Sequence, residues 1–374
     1  MRIAVDARVL SLPELRGIGT YLCEILAAWP EPKDSFIMIT PAQIPGDRLR
    51  GRAGLEVRVV DEPRGSRFRV WDWWSLPRAV RQADPDLVWS PANQAVPVKG
   101  LPQVVTIHDT LLQEMVQHAS PLDRLFHCLV SPMWVRDHAD LVVSVSRFSR
   151  SRIQALMPRD CPPVRVISNG ATLPDKPFPQ KAQAWAHLWE KGLAAGPYVL
   201  ALGAESPWKN TEGAIRAFAQ VSEAEPEIEF ILAGVQGRSL RSFQDLRQEL
   251  DLGHRLRILE YVDRRDLEAL YQGAEVFVYP SLFEGFGLPL LEAMALETPV
   301  VASKAASIPE VAGQAALLAD AGDSQSLAEA ILAVLRSPDL ARELTAAGLS
   351  NIGRFRWEDT ARAHWDLFRE CARA

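Results

Sequence analysis

The sequence predicts an α/β protein made of two doubly wound parallel-sheet domains. Three observations carry this. Short apolar runs alternate with helical patterns along the chain, as expected of strands buried on both faces and joined by helical crossovers. The alternation runs twice, interrupted at 171–183 (ATLPDKPFPQKAQ) by three prolines and a loss of apolar periodicity. The chain has 374 residues, 48% hydrophobic and 24% charged. That is globular composition, with length for roughly two to three domains.

In the first series the strands are 3–6, 36–40, 55–60, 87–90, 104–107, 141–145 and 164–167, with helical spacing near 18–29, 71–83, 121–139 and 147–157. In the second the strands are 198–202, 228–233, 256–260, 275–279, 299–302 and 315–318. Helices fit near 211–223, 240–251, 265–273, 289–296, 324–336 and 338–349, and a last helical pattern starts at Trp357. The expected division is a first domain over 1–175, a linker over 176–196, a second domain over 197–355 and a terminal helix over 356–374. Sheets of this kind bind ligands beyond the carboxyl ends of their strands, so two of them facing each other predict an interdomain cleft.

Net charge is −6, which argues against a basic nucleic-acid binder. Residues 1–180 hold 22 Lys and Arg against 19 Asp and Glu, a net of +3, leaving −9 for the rest and suggesting different partners for the two halves. Cys23, Cys128, Cys161 and Cys371 are far apart, so neither a disulfide framework nor a zinc cluster is expected. His118, His127 and His138 match no common ligand spacing, and no metal site is expected. Asp6 and Arg8 interrupt any signal-peptide core, and no apolar run approaches the ~18 residues of a spanning helix. The expectation is a soluble, cytoplasmic protein, with peripheral contact at a membrane left open.

Five segments hold candidate chemistry. Gly17 and Gly19 lie between the first strand and a helix, where backbone can approach an anion, although two glycines also simply punctuate loops. Leu22 stands where a dinucleotide fingerprint wants its last glycine, which disfavours NAD. His108-Asp109 ends a buried strand, where a ligand group or a structural histidine would serve equally. Lys209 follows a strand and opens a helix, a place to meet phosphate or to sit in solvent. Residues 279–295 place Glu284, Gly285 and Gly287 in a loop, Pro289 in a first helical turn and Glu292 one turn on, so both carboxylates can address the vicinal hydroxyls of a sugar or ribose. Finally, Arg64, Arg67 and Arg69 precede Trp71, Trp73 and Trp74, a basic and aromatic mixture suited to a glycan, an anionic acceptor or a membrane interface, or to a core helix face.

Taken together these segments resemble the retaining glycosyltransferases of family 4, with the GT-B fold. Glu284 and Glu292 stand as an E-x7-E pair, and Gly17-Ile-Gly19, His108-Asp109, Ser144-Val-Ser146, Ser168-Asn-Gly170, Pro207-Trp-Lys209-Asn210, Ile308-Pro-Glu310 and Phe355-Arg-Trp357 resemble the family's other segments in the same order. The resemblance implies transfer of a sugar from a nucleotide donor with retention, without a metal or other cofactor. It implies that the C-terminal domain holds the nucleotide, that the first domain holds the acceptor, and that the last helix crosses back to the first domain.

Carried over, the resemblance gives His108 and Glu284 to the reacting centre. Glu292 would bind the ribose, Lys209 the diphosphate, and Phe286, Gly287 and Leu288 amides the donor sugar. Tyr261 and Val262 would border the base, and Gly17 and Gly19 would approach the diphosphate. Arg67, Arg69, Trp71 and Trp74 are the acceptor candidates. The element around Lys209 resembles mannosyltransferases, so GDP-mannose is the expected donor and a glycan or lipid-linked acceptor of a surface polysaccharide the expected partner. Trp208 stands where the family often has a phosphate-binding arginine. UDP-sugar transfer, a nucleotide-sugar binding protein without catalysis, and an epimerase or phosphorylase are the alternatives.

Overall fold

The computed structural model describes the chain except residues 16, 47, 50–53, 62–69, 115–124, 158–159, 175–176, 236 and 374. It divides into two compact units: 1–170 with 355–374, and 171–354.

Unit 1 is a seven-stranded sheet in the order β3-β2-β1-β4-β5-β6-β7. Its strands are β1 Arg2–Asp6, β2 Ser35–Thr40, β3 Leu55–Val59, β4 Leu87–Ser90, β5 Gln103–Ile107, β6 Leu141–Ser144 and β7 Val164–Val166. All pairings are parallel, with Val5 opposite Trp89 and Val105 opposite Val142. Every residue of β4 and β5 is buried, because helices cover both faces of a parallel sheet and no face is left for polar side chains. The last helix, Trp357–Cys371, packs in this unit against the helix Gly17–Ala27. A Cβ on Gly170 would come within 2.5 Å of the Trp357 backbone nitrogen, so a glycine is what lets this helix start where it does.

Unit 2 is a six-stranded parallel sheet in the order β10-β9-β8-β11-β12-β13. Its strands are β8 Tyr198–Leu202, β9 Glu229–Ala233, β10 Leu256–Leu259, β11 Val276–Tyr279, β12 Val300–Ser303 and β13 Leu317–Ala319. Helix starts are set by side-chain caps: Asp263 accepts from the Asp266 amide at 2.8 Å, and Ser337 caps Pro338–Ile352. One side of the sheet packs around the stacked pair Phe218 and Phe230, whose ring centroids are 5.0 Å apart.

Two expectations need correction. The linker expected over 176–196 contains a helix, Lys181–Glu190, which belongs to unit 2. Its Ala184 and Leu188 are fully buried and Trp185 donates to the Gly273 carbonyl, contacts a local reading of the prolines before it does not reveal. The helix expected from residue 71 opens as a π-helical turn, Trp71–Ser75, before Leu76–Ala83.

The helix Leu288–Ala295 ends in a Schellman arrangement: the Thr298 amide donates to Ala293 and the Glu297 amide to Met294. This requires a left-handed residue, and Glu297 takes that place with φ of 59°. Its Cβ crowds the backbone there, so Glu297→Gly is expected to raise stability by about 1 kcal/mol. In a domain of this size that is a rise of about 2–4 °C in the melting temperature, and an unchanged or lower midpoint would contradict the strain.

Candidate functional site

In each sheet the order reverses between two central strands, β1 and β4 in unit 1, β8 and β11 in unit 2. A doubly wound sheet opens its ligand crevice beyond the carboxyl ends of such a pair. The loops leaving β8 and β11 carry Lys209 and Glu284. The lysine Nζ donates to Glu284 Oε1 at 2.6 Å, and the ammonium lies 5.6 Å from the centre of the Tyr279 ring. Both side chains are half-buried, at 31% and 14% exposure, where a charge pair is stronger than in bulk water.

Backbone geometry holds these loops in register. The Leu282 amide donates to the Trp208 carbonyl at 2.7 Å. Asn210 donates to the carbonyls of Pro280 and Ala321 at 3.3 and 2.7 Å. The buried Ser307 hydroxyl lies 2.9 Å from the carbonyls of both Glu284 and Phe286. Gly287, with φ of 110°, turns the chain into Leu288–Ala295 as an N-cap without a side chain. In the first turn Pro289 has no N–H and the Leu290 amide donates to the Gly287 carbonyl at 3.1 Å, so Leu288 supplies the first-turn amide that can face a ligand. Phe286 is buried and Leu288 half-buried.

Glu292 lies one turn into that helix. Burial pushes its carboxyl pKa up, against the Arg264 charge and the Tyr271 hydroxyl, which favour the ionised form. Tyr271 donates to Oε2 at 3.3 Å. With Thr172, Pro174, Arg264 and Glu268 these residues line a small pocket of about 60 Å³. Tyr261 is exposed and Val262 half-buried in the loop leaving β10. Unit 2 therefore brings Lys209 and Glu284 together and sets Glu292 in a pocket of its own.

In unit 1, His108 follows β5 and is buried. Its amide donates to Asn93 Oδ1 at 2.6 Å and its carbonyl accepts from Ser149 at 3.0 Å. Its Nε2 is 2.8 Å from the Pro91 carbonyl. A carbonyl only accepts, so Nε2 carries the proton and Nδ1 is the lone-pair nitrogen. Burial lowers the imidazole pKa to about 4, so the ring is neutral at pH 7. Gly17 and Gly19 lie within the first turn of Gly17–Ala27 rather than in a loop before it, Gly17 exposed and Gly19 buried.

The acceptor candidates separate. Trp71 is fully buried, donates to the Val60 carbonyl and lies under the Arg8 guanidinium at 4.5 Å, so it is a core residue and not an acceptor contact. Trp74 is 75% exposed and Trp73 51% exposed. Arg64, Arg67 and Arg69 lie outside the described residues. Sequence reading missed the ion cluster at the end of β1: Arg8 donates to both Asp6 oxygens and also pairs with Asp72 at 2.5 Å. Its one visible signal was an aspartate ending a strand. It also missed Tyr21 and His364, described below. Among the described residues no three His, Cys, Asp or Glu are placed to hold a metal ion, and no helix is long and apolar enough to cross a membrane.

Comparison with known proteins agrees with this architecture. A family model described as glycosyl transferases group 1 matches residues 186–350, and one described as Glycosyltransferase Family 4 matches residues 15–173. The O-antigen chain mannosyltransferase B of Escherichia coli is 34% identical over 281 residues, 73% of this chain and 72% of that protein. Among solved structures, sucrose-phosphate synthase from Thermosynechococcus elongatus aligns with a TM-score of 0.80 at 22% identity, covering 99% of this chain and 98% of that one. Anabaena HepE, solved in complex with UDP and glucose, aligns with a TM-score of 0.78 at 22% identity, over 99% and 100% of the two chains. With its two doubly wound sheets of GT-B type and this mannosyltransferase relative, the chain belongs to the group 1 glycosyltransferases.

Proposed function

We propose that the protein transfers mannose from GDP-mannose, with retention at the anomeric carbon, to a glycan or lipid-linked acceptor in surface polysaccharide synthesis on the cytoplasmic side of the membrane. The observation that carries the reading is the Lys209–Glu284 pair between the two loops at the unit 2 switch point. A nucleoside diphosphate leaving group gains negative charge as the glycosidic bond breaks, and a fixed ammonium with the Leu288 amide at the helix start stabilises it. Glu284 then serves the donor sugar, and Glu292 accepts the ribose hydroxyls. Tyr261 and Val262 border the base, and Phe286, Gly287 and Leu288 offer amides to the sugar.

The mannose assignment is supported by the name of the E. coli relative. In unit 1, neutral His108 takes part through Nδ1, which accepts a hydrogen bond. Gly17 and Gly19 serve the diphosphate, and Trp74 with Arg67 and Arg69 serve the acceptor. Retention follows from front-face attack, the leaving phosphate taking the acceptor proton. No cation is required, because Lys209 and the Leu288 amide supply the positive potential.

The test is a thermal-shift panel of GDP, UDP, ADP and their sugars with and without magnesium. A ligand bound only by the folded state raises its melting temperature, by about 2.7 kcal/mol of stability at one hundred times its Kd. A selective rise with GDP and GDP-mannose, indifferent to magnesium and absent in Glu292→Ala, is the expected result. A rise confined to UDP compounds replaces the donor, and a rise only with magnesium removes the metal-free reading. If no nucleotide shifts the midpoint, the donor site itself is wrong.

A further inference from the structure

The aromatic cluster behind His108 contains a line of hydrogen bonds whose direction can be assigned atom by atom. His364 Nδ1 is 2.8 Å from the Thr360 carbonyl, which only accepts, so Nδ1 donates. His364 is fully buried, and burial lowers its pKa to about 4, so the ring is neutral and Nε2 is a bare acceptor. The Tyr21 hydroxyl, 2.7 Å from Nε2, therefore donates. Its oxygen is left to accept from Thr106 Oγ1 at 3.1 Å. The Trp89 indole, a donor only, reaches the same Thr106 oxygen at 3.2 Å. The protons thus run from Trp89 on β4 through Thr106 on β5 and Tyr21 on the first helix to His364 and Thr360 on the last helix.

The line passes beside His108 at Tyr21. The Tyr21 ring meets the imidazole edge to face, with centroids 4.6 Å apart and planes at 87°. The amide, Nε2 and carbonyl of His108 are held by Asn93, Pro91 and Ser149. Tyr21 thus forms a wall beside the imidazole, and its own position is fixed at the hydroxyl by partners on two other elements. Trp357, at the start of the last helix, packs on the same tyrosine at 6.2 Å between centroids.

We propose that Tyr21 and His364 are positioning residues for His108, so that the last helix of the chain sets the orientation of the imidazole. This rests on the reading that His108 takes part in transfer. A ring held only by packing can tilt, and small misplacements of a participating group are costly in rate. Tyr21→Phe keeps the wall and removes both hydroxyl bonds. His364→Leu removes the acceptor, whereas His364→Gln retains a side-chain oxygen able to take the Tyr21 proton.

The experiment measures release of nucleoside diphosphate from GDP-mannose and from UDP-glucose, with kcat, donor KM and melting temperature for each variant. Tyr21→Phe and His364→Leu are expected to lower kcat about tenfold with little change in KM, and His364→Gln to recover most of it. In a His108→Ala background Tyr21→Phe is expected to cost nothing further, since two residues acting through one group are not additive. A merely structural role would lower activity equally in both backgrounds and in step with the melting temperature, and that result overturns the proposal. Wild-type kcat in Tyr21→Phe and His364→Leu overturns it as well. Should Tyr21→Phe fail to fold, the Leu and Gln variants at 364 decide by the same criteria. Wild-type rates in His108→Ala, or no release from either donor by the unaltered protein, remove the reading of His108 itself and with it this inference.

Discussion

Lys209→Ala is expected to lower kcat/KM for the donor by two to three orders of magnitude, about 3–4 kcal/mol of transition-state stabilisation. The ammonium is half-buried, held 2.6 Å from Glu284 and placed at the switch point of the unit 2 sheet. In the proposed donor site, alanine would leave the departing diphosphate without the ammonium, with only the Leu288 amide at the helix start. Lys209→Arg should recover only part of the loss, because a planar fork does not reproduce a point charge on a flexible stem. Lys209→Ala also removes the ion-pair partner of Glu284, which is 14% exposed. The accompanying loss of stability should be modest, about 1–2 kcal/mol, because the pair is only partly desolvated. Steady-state kinetics of nucleotide release together with a melting curve separate the two effects. A variant with wild-type kcat/KM would remove Lys209 from the donor site, whereas equal collapse of activity and folding would make it a structural residue.

The sheets were legible because their signal is local. Among the described residues all thirteen strands fall within two residues of the expected runs. Central strands such as β4, β5 and β11, buried on both faces, are largely apolar, and the edge strand β3, largely exposed, still shows as the alternating run LEVRV. The loop from Tyr279 to Gly287 was legible for a related reason: a strand end, a positive-φ glycine and a proline-started helix are each written in adjacent residues. The helix Lys181–Glu190 was not, because what holds it is burial against unit 2, with Trp185 reaching Gly273. Trp71 and Trp74 show a different failure. Three apart in an α-helix, they share a face. The π-helical turn gives the Leu76 amide to the Trp71 carbonyl five residues back, so Leu76 joins Trp71 in the core and Trp74 turns outward.

The site divides the same way. Glu284, Glu292 and Lys209 could be named as candidates because each stands next to a strand end or helix start. That Lys209 and Glu284 touch could not be read, since 75 residues separate them. Tyr21 and His364 gave no signal at all. They are 343 residues apart, and a tyrosine and a histidine at helical spacing in two amphipathic helices look like ordinary core positions until the sheet brings them together.

The buried histidines make unit 1 acid-sensitive in a defined direction. His108 and His364 are both held near pKa 4 by burial, against an ordinary value of 6.5. His138, half-buried, is lowered in the same sense. Between those values the unfolded chain binds protons that the folded chain refuses, so stability is full above pH 6.5 and falls as the pH drops toward 4. Two such groups give a slope of up to about 3 kcal/mol per pH unit, and each contributes about 3 kcal/mol over the whole window. Asp72 acts in the opposite sense near its own titration, because burial pushes its carboxyl up. Eight of the eleven tryptophans lie in unit 1, so urea titrations followed by tryptophan fluorescence report chiefly on it. The midpoint is expected to fall steadily from pH 6.5 to 4.5. In His364→Gln it should start lower, from the lost imidazole contacts, and fall with about half the slope. Parallel curves for the two proteins would mean that His364 titrates normally in the folded state, and that its Nε2 is not the acceptor that orders the line from Trp89 to Thr360.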